Sequence, residues 1–174
     1  PRERVRRFLR DRQEVDWGRM HDPPLHDETA LRWNFLEAES DPCVVVSERM
    51  EFVYVNEAAQ ALVPAQWFGK RCFEVLPVVD ETCAFHCPKI DALSEGADSA
   101  SADVVYCEET LYTDRLDQVV LGVGLIPLGT ERTDRARAVF VLRAKEGTAD
   151  PAQFEAQLLQ DAARVRARIL TSAR

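Results

Sequence analysis

The hydrophobic positions along the chain change period twice. Val5, Phe8 and Leu9, and later Leu31, Phe35 and Leu36, recur at helical spacing on either side of a break at Pro23-Pro24. Asp27 is placed to cap the second of these helices. A helix so short needs a partner to pack on. From Pro42 the period becomes that of strands. Cys43-Val44-Val45-Val46 is a β-branched run, Ser47-Glu48-Arg49 a polar turn and Phe52-Val53-Tyr54-Val55 a second strand, which together predict a hairpin. Asn56 ends the hairpin and is suited to cap a helix over residues 57–62, which Pro64 closes. Trp67-Phe68-Gly69-Lys70 reads as a turn into a short helical piece over 72–76, ended by Pro77. A longer helical segment is expected over 83–94, with Pro88 as a kink or in its first regular turn and Gly96 at its C-terminal end.

Three strand candidates follow, at residues 103–111, 116–128 and 135–145. In the last, Ala136, Ala138, Phe140 and Leu142 alternate with Arg137, Val139, Val141 and Arg143, the pattern of a sheet with one face better buried. The order strand-strand, short helices, strand-strand-strand predicts an α+β fold, a five-stranded antiparallel sheet with helices across one face. Gly147 and Pro151 break the chain again, and Asp150 can cap a final helix reaching about residue 171. There Leu158, Ala162, Val165 and Ile169 step by four, three and four. That spacing fits either a heptad seam or a face packed on the domain's own sheet. The expected organisation is an N-terminal helical flank at 1–36, a sheet domain at 37–146 and a C-terminal helix at 147–174.

Composition narrows the function classes. The chain has 174 residues with 46% hydrophobic positions, enough for one ordinary domain with flanks. The formal charge of -8 argues against a nucleic-acid surface, which needs clustered Lys and Arg to neutralise phosphates. Arg2, Arg4, Arg6, Arg7 and Arg10 in front, and Arg164, Arg166, Arg168 and Arg174 behind, are interleaved with apolar residues and read as solvated helix faces. No apolar run reaches membrane-spanning length, and the charged start is unlike a secretory signal, so a cytoplasmic location is expected. The start at Pro1 is read as that of a piece of a longer protein.

Four stretches, taken in order, resemble the PAS family of sensory domains over the middle two-thirds of the chain. Phe52-Val53-Tyr54-Val55-Asn56-Glu57-Ala58-Ala59 is similar to the family's second strand ending in Asn before a helix. Gly69-Lys70-Arg71-Cys72-Phe73-Glu74-Val75-Leu76 is similar to the approach to its short E helix. Ile126-Pro127-Leu128 resembles the end of its fourth strand, and Ala138-Val139-Phe140-Val141-Leu142 its closing strand. One subset of the family carries Cys-Phe/Tyr-Glu-Val followed by Cys-x-x-Cys-Pro. This chain has Cys72-Phe73-Glu74-Val75 and then Cys83-Ala84-Phe85-His86-Cys87-Pro88, so its cysteine pair is one residue wider.

The five cysteines are therefore the candidate chemistry. Thiolates bind soft metals and iron–sulfur clusters, and such sites need about four ligands. On a helix Cys83 and Cys87 share one face, with His86 displaced around it. Cys72 is the natural third ligand, and Cys107, Cys43 or His86 the fourth. The candidate metal set is thus Cys72, Cys83, Cys87 and Cys107, for zinc or an iron–sulfur cluster, with His86 added for other cofactors. The resemblance also implies haem ligation through His86 as an alternative. Against these stands burial as small hydrophobic side chains, to which Cys43 and Cys107 are chiefly assigned. A Cys83–Cys87 disulfide within one helical turn would be strained. Trp17, Trp33 and Trp67 are expected as core or interface anchors.

No phosphate-binding loop, kinase or cyclase motif or catalytic triad occurs, so no enzyme activity is expected. The resemblance implies a sensory module that passes a ligand, cluster or redox signal through the final helix. Its partner would be an effector such as a two-component histidine kinase, a nucleotide cyclase or a transcription activator. A homodimer through the flanking helices is expected. The competing expectation is a ligand-free dimerisation scaffold.

Overall fold

The computed structural model describes residues 28–63, 66–76, 103–112, 118–128, 136–145 and 150–172. The elements are α1 (Glu28–Trp33) running into a 3-10 turn (Asn34–Ala38), β1 (Cys43–Ser47), β2 (Phe52–Val55), α2 (Glu57–Gln60), α3 (Cys72–Val75), β3 (Val105–Tyr112), β4 (Gln118–Pro127), β5 (Ala136–Lys145) and α4 (Pro151–Ser172). The strands form one antiparallel sheet in the order β2-β1-β5-β4-β3. The predicted α+β sheet is present. The helix expected over 83–94 and the helical face at Val5, Phe8 and Leu9 lie outside the described residues.

The first and last strands pair at the centre, with Cys43 opposite Val141 and Val45 opposite Val139. All five β1 residues are buried, because the sheet is covered on both faces. On the inner face, Val44, Val46, Phe52, Leu121, Val123, Leu125, Phe140 and Leu142 pack with Ala59 and Val63, at and just beyond α2, and with Cys72, Val75 and Leu76, at and just beyond α3. On the outer face, Cys43, Val45, Ile126, Val139 and Val141 pack with Trp33, Leu36 and the helix α4. Val139 and Val141 are thus as buried as Phe140 and Leu142. The alternation along β5 separates two cores rather than a core from solvent.

The β1–β2 turn is held by Ser47, whose hydroxyl accepts from the Arg49 and Glu51 N–H groups, both at 3.2 Å. Met50 sits in the left-handed region at φ 59°, with its side chain in the inner core. Residues 69–72 then return along the free edge of β2. Gly69, at φ 70°, makes the turn, its N–H donating to the Phe52 carbonyl at 2.9 Å, and the Cys72 N–H donates to the Met50 carbonyl at 2.9 Å. Asn56 caps α2 as expected, its Oδ1 accepting from the Ala59 N–H at 3.0 Å.

The N-terminal flank differs from its expected face. Leu31 is 71% exposed, whereas Trp33 and Leu36 are fully buried. The α-helix tightens to 3-10 geometry after Trp33, and at three residues per turn positions 33 and 36 stack on one side. Trp33 is a core anchor as expected, Trp67 packs against the inner cluster, and Trp17 lies outside the described residues.

The final helix settles the choice between a seam and a sheet contact. Leu158, Ala162, Val165 and Ile169 are buried in the outer core of their own domain. Gly122 and Gly124 make the close approach possible, since both fall on the outer side of β4. A Cβ on Gly124 would lie 2.8 Å from the Ala162 Cβ, and one on Gly122 would lie 2.5 Å from the Phe154 ring and 2.9 Å from Leu158 Cδ2. The Phe154 and Leu158 atoms are the ends of side chains that can turn, but the Ala162 methyl moves only with the helix backbone. Gly124→Ala is therefore expected to destabilise the fold by about 1–3 kcal/mol. Gly122→Ala should cost less, and urea denaturation of the two variants checks the order.

Candidate functional site

The inner face is where the sequence placed the chemistry. Cys72 opens α3, is 2% exposed and belongs to the inner core. Its helix starts at Arg71, whose N–H donates to Glu74 Oε2 at 2.7 Å. Cys107 reaches the same face from β3, half-buried, with its Sγ 3.8 Å from the Val123 carbonyl oxygen. By strand alternation Glu109 falls on that face too, between Cys107 and Leu111. Cys72 enters beside β2 and Cys107 lies on β3, and these are the two edges of the sheet. Among the described residues, no three His, Cys, Asp or Glu side chains are gathered closely enough to hold a metal. Cys83, His86 and Cys87 lie outside the described residues.

Cys43 points the other way. It is fully buried in the outer core. Burial, reinforced by the Glu39 and Asp41 carboxylates, pushes its thiol up to about 12. At neutral pH it is protonated and a poor nucleophile or ligand. The reading of Cys43 as a small core residue stands on this geometry.

A second polar centre, not anticipated from the sequence, ties α4 to the sheet and to the linker before β1. Arg143 Nη2 of β5 donates to Asp41 Oδ1 at 2.5 Å and to Asp161 Oδ2 of α4 at 2.8 Å. Arg164 bridges the same carboxylates, at 3.3 Å to Asp41 and 3.1 Å to Asp161. Gln157 donates to Asp161, and Arg168 pairs with the buried carboxylate of Glu39. Burial pushes the Asp161 carboxyl up, but hydrogen bonds from Arg143 and Gln157, with the Arg143 and Arg164 charges, outweigh it. The net position is below the ordinary aspartate value. Arg143 and Asp41 are 102 residues apart in sequence, so no local pattern signals their meeting. The linker is anchored to the hairpin as well. Glu37 accepts from the Tyr54 hydroxyl at 2.5 Å and the Glu57 N–H at 2.7 Å. Burial first, and then this contact, raise the Tyr54 phenol above its ordinary range.

No family model matches the chain, and no curated protein matches it. Solved structures do. The Rhodobacter sphaeroides LOV protein is similar at TM-score 0.51 and 13% identity, over 81% of this chain and 93% of that one. An RsLOV variant is similar at TM-score 0.50 and 13% identity, over 82% and 91%. A PAS domain from a two-component sensor histidine kinase aligns at TM-score 0.47 and 13% identity, over 66% and 97%. At such identities the likeness is one of fold. No helix among the described residues is long and apolar enough to cross a membrane.

Two measurements follow from this geometry. In the native protein Cys107, half-buried, is expected to be alkylated before Cys43 and Cys72, both of which are buried. Peptide mapping by mass spectrometry after brief iodoacetamide treatment reads the order. Because the folded-state value of Asp161 is depressed, its stabilisation is fully present above the ordinary aspartate range and lost as pH falls through the lowered value. The urea midpoint should therefore drop on the acid side, and Asp161→Asn should start lower at neutral pH and show a shallower acid decline.

Proposed function

We propose that this chain, which has the PAS/LOV fold, is a sensory and regulatory module with its input on the inner face of the sheet and its output through α4. The observation that carries this reading is the unequal treatment of the two sheet faces. The outer face is sealed by Trp33, Leu36 and a 22-residue helix. Among the described residues, the inner face meets two short helical pieces of four residues each and carries the thiols of Cys72 and Cys107. Short helices held by a few side chains shift at low free-energy cost, whereas a long docked helix moves as one body.

The signal in this reading is a ligand, an iron–sulfur or zinc centre, or a thiol redox change at Cys72, Cys83 and Cys87, with His86 beside them. A conformational bias of a few kcal/mol on the inner face is enough to shift a two-state element. The receiver is an effector such as a histidine kinase, a nucleotide cyclase or a transcription activator, and the working unit is a homodimer. The buried side chains of α4 are already used in the chain's own core, so that helix would meet a partner through its remaining faces.

Anaerobically purified protein tests the input. Visible absorbance, or bound iron or zinc, is expected and should be lost in the Cys72→Ser/Cys83→Ser/Cys87→Ser variant. A colourless, metal-free protein whose triple variant is as stable and as thiol-insensitive as the parent would sink the thiol-borne signal and leave the ligand-free scaffold.

A further inference from the structure

We infer that the linker over residues 36–41 is a strap that couples the inner-face helix α2 to the outer-face helix α4, around the end of β1 rather than through the sheet. The inference rests on the sensory reading only for the direction of the signal. The coupling itself is a property of the fold.

The inner end of the strap is Asn56, which is fully buried. Its Oδ1 accepts from the Cys43 N–H at 2.8 Å and from the Ala59 N–H at 3.0 Å, joining β1 to the first turn of α2. Its amide nitrogen faces the linker carbonyls of Leu36 at 3.1 Å, Asp41 at 3.0 Å and Glu39 at 3.4 Å. One side chain therefore gathers three points of the linker and fixes them to the start of α2. Glu37 adds a second tie, accepting from the Glu57 N–H at the same turn.

The outer end is made by the side chains of the same segment. Glu39 receives Arg168, and Asp41 receives Arg164, so the side chains of two of the three residues whose carbonyls face Asn56 grip the C-terminal half of α4. Arg143 locks Asp41 to Asp161 and so fixes the strap, the helix and β5 together. A displacement of the α2 cap has to carry the linker carbonyls with it. The carboxylates then follow, because parting the buried Glu39 from Arg168 leaves its charge without a pair, and Asp41 is held by two arginines at once. The sheet offers no comparable give, since its central strands are buried on both faces and held in register.

The test is a double-mutant cycle read by hydrogen exchange in the full chain. Asn56→Asp keeps the acceptor contacts to Cys43 and Ala59 but cannot donate to the linker. It is expected to speed exchange of the α4 amides over residues 161–169 by roughly tenfold relative to the β5 core amides of Val139–Val141. In the Glu39→Gln/Asp41→Asn background, where the strap no longer grips α4, the same substitution should add nothing to α4 exchange. Glu37→Gln runs through the same cycle as a milder variant, which decides the question if Asn56→Asp does not fold. An α4 response equal in both backgrounds, or none while the linker itself loosens, overturns the strap. Absorbance and metal content of the input face are read separately, so the strap can fail while the sensory reading stands, and the reverse.

Discussion

A five-stranded sheet buried on both faces needs two covers, and this requirement organises the molecule. Among the described residues, the inner cover is made of short pieces around Ala59, Val63, Cys72, Val75 and Leu76. The outer cover is chiefly one helix, α4. Burying a Leu, Val or Ile side chain stabilises by about 1.5–3 kcal/mol each, while a surface ion pair contributes about 0–1 kcal/mol. Leu158, Val165 and Ile169 therefore supply most of the attraction that holds α4 down. The arginine–carboxylate cluster contributes less attraction and more registration, because its ion pairs join particular positions on α4, β5 and the linker. Gly122 and Gly124 complete the arrangement by letting the helix backbone come close to β4.

Much of this was legible in the sequence because the signals are local. The β-branched run at residues 43–46, the alternation along the closing strand and the capped helix after Asn56 follow from residue type and period, although one better-buried face was expected where two cores are found. The destination of the C-terminal helix was not legible. A four-three-four spacing is the same whether the helix meets a copy of itself or a sheet. The discriminating signal was elsewhere, in two glycines one residue apart on a strand, which leave room on one face only. Leu31 was misplaced because helical spacing assumes 3.6 residues per turn, and the chain tightens just after Trp33. The Arg143 cluster was out of reach of any local pattern, since its members come from the linker, the last strand and the final helix.

The thiols divide by face in the same way. Cys43 lies in the outer core, protonated and enclosed, and is a packing residue. Cys72 and Cys107 belong to the inner face but approach from opposite sheet edges. The fold thus keeps Cys43 on one face of the sheet and Cys72 and Cys107 on the other.

Met50 carries a last consequence. A left-handed conformation costs an ordinary side chain about 1–2 kcal/mol, and glycine is the usual residue in such a turn. Here the side chain fills the inner core and the carbonyl receives the Cys72 N–H. The bend between the first two strands therefore adds outside support to its own hydrogen bonds at Ser47. Its shape is underwritten by a segment made later in the chain and by the core it helps to fill. The β1–β2 corner is thus a joint at which the hairpin, the returning segment and the inner core meet in one residue.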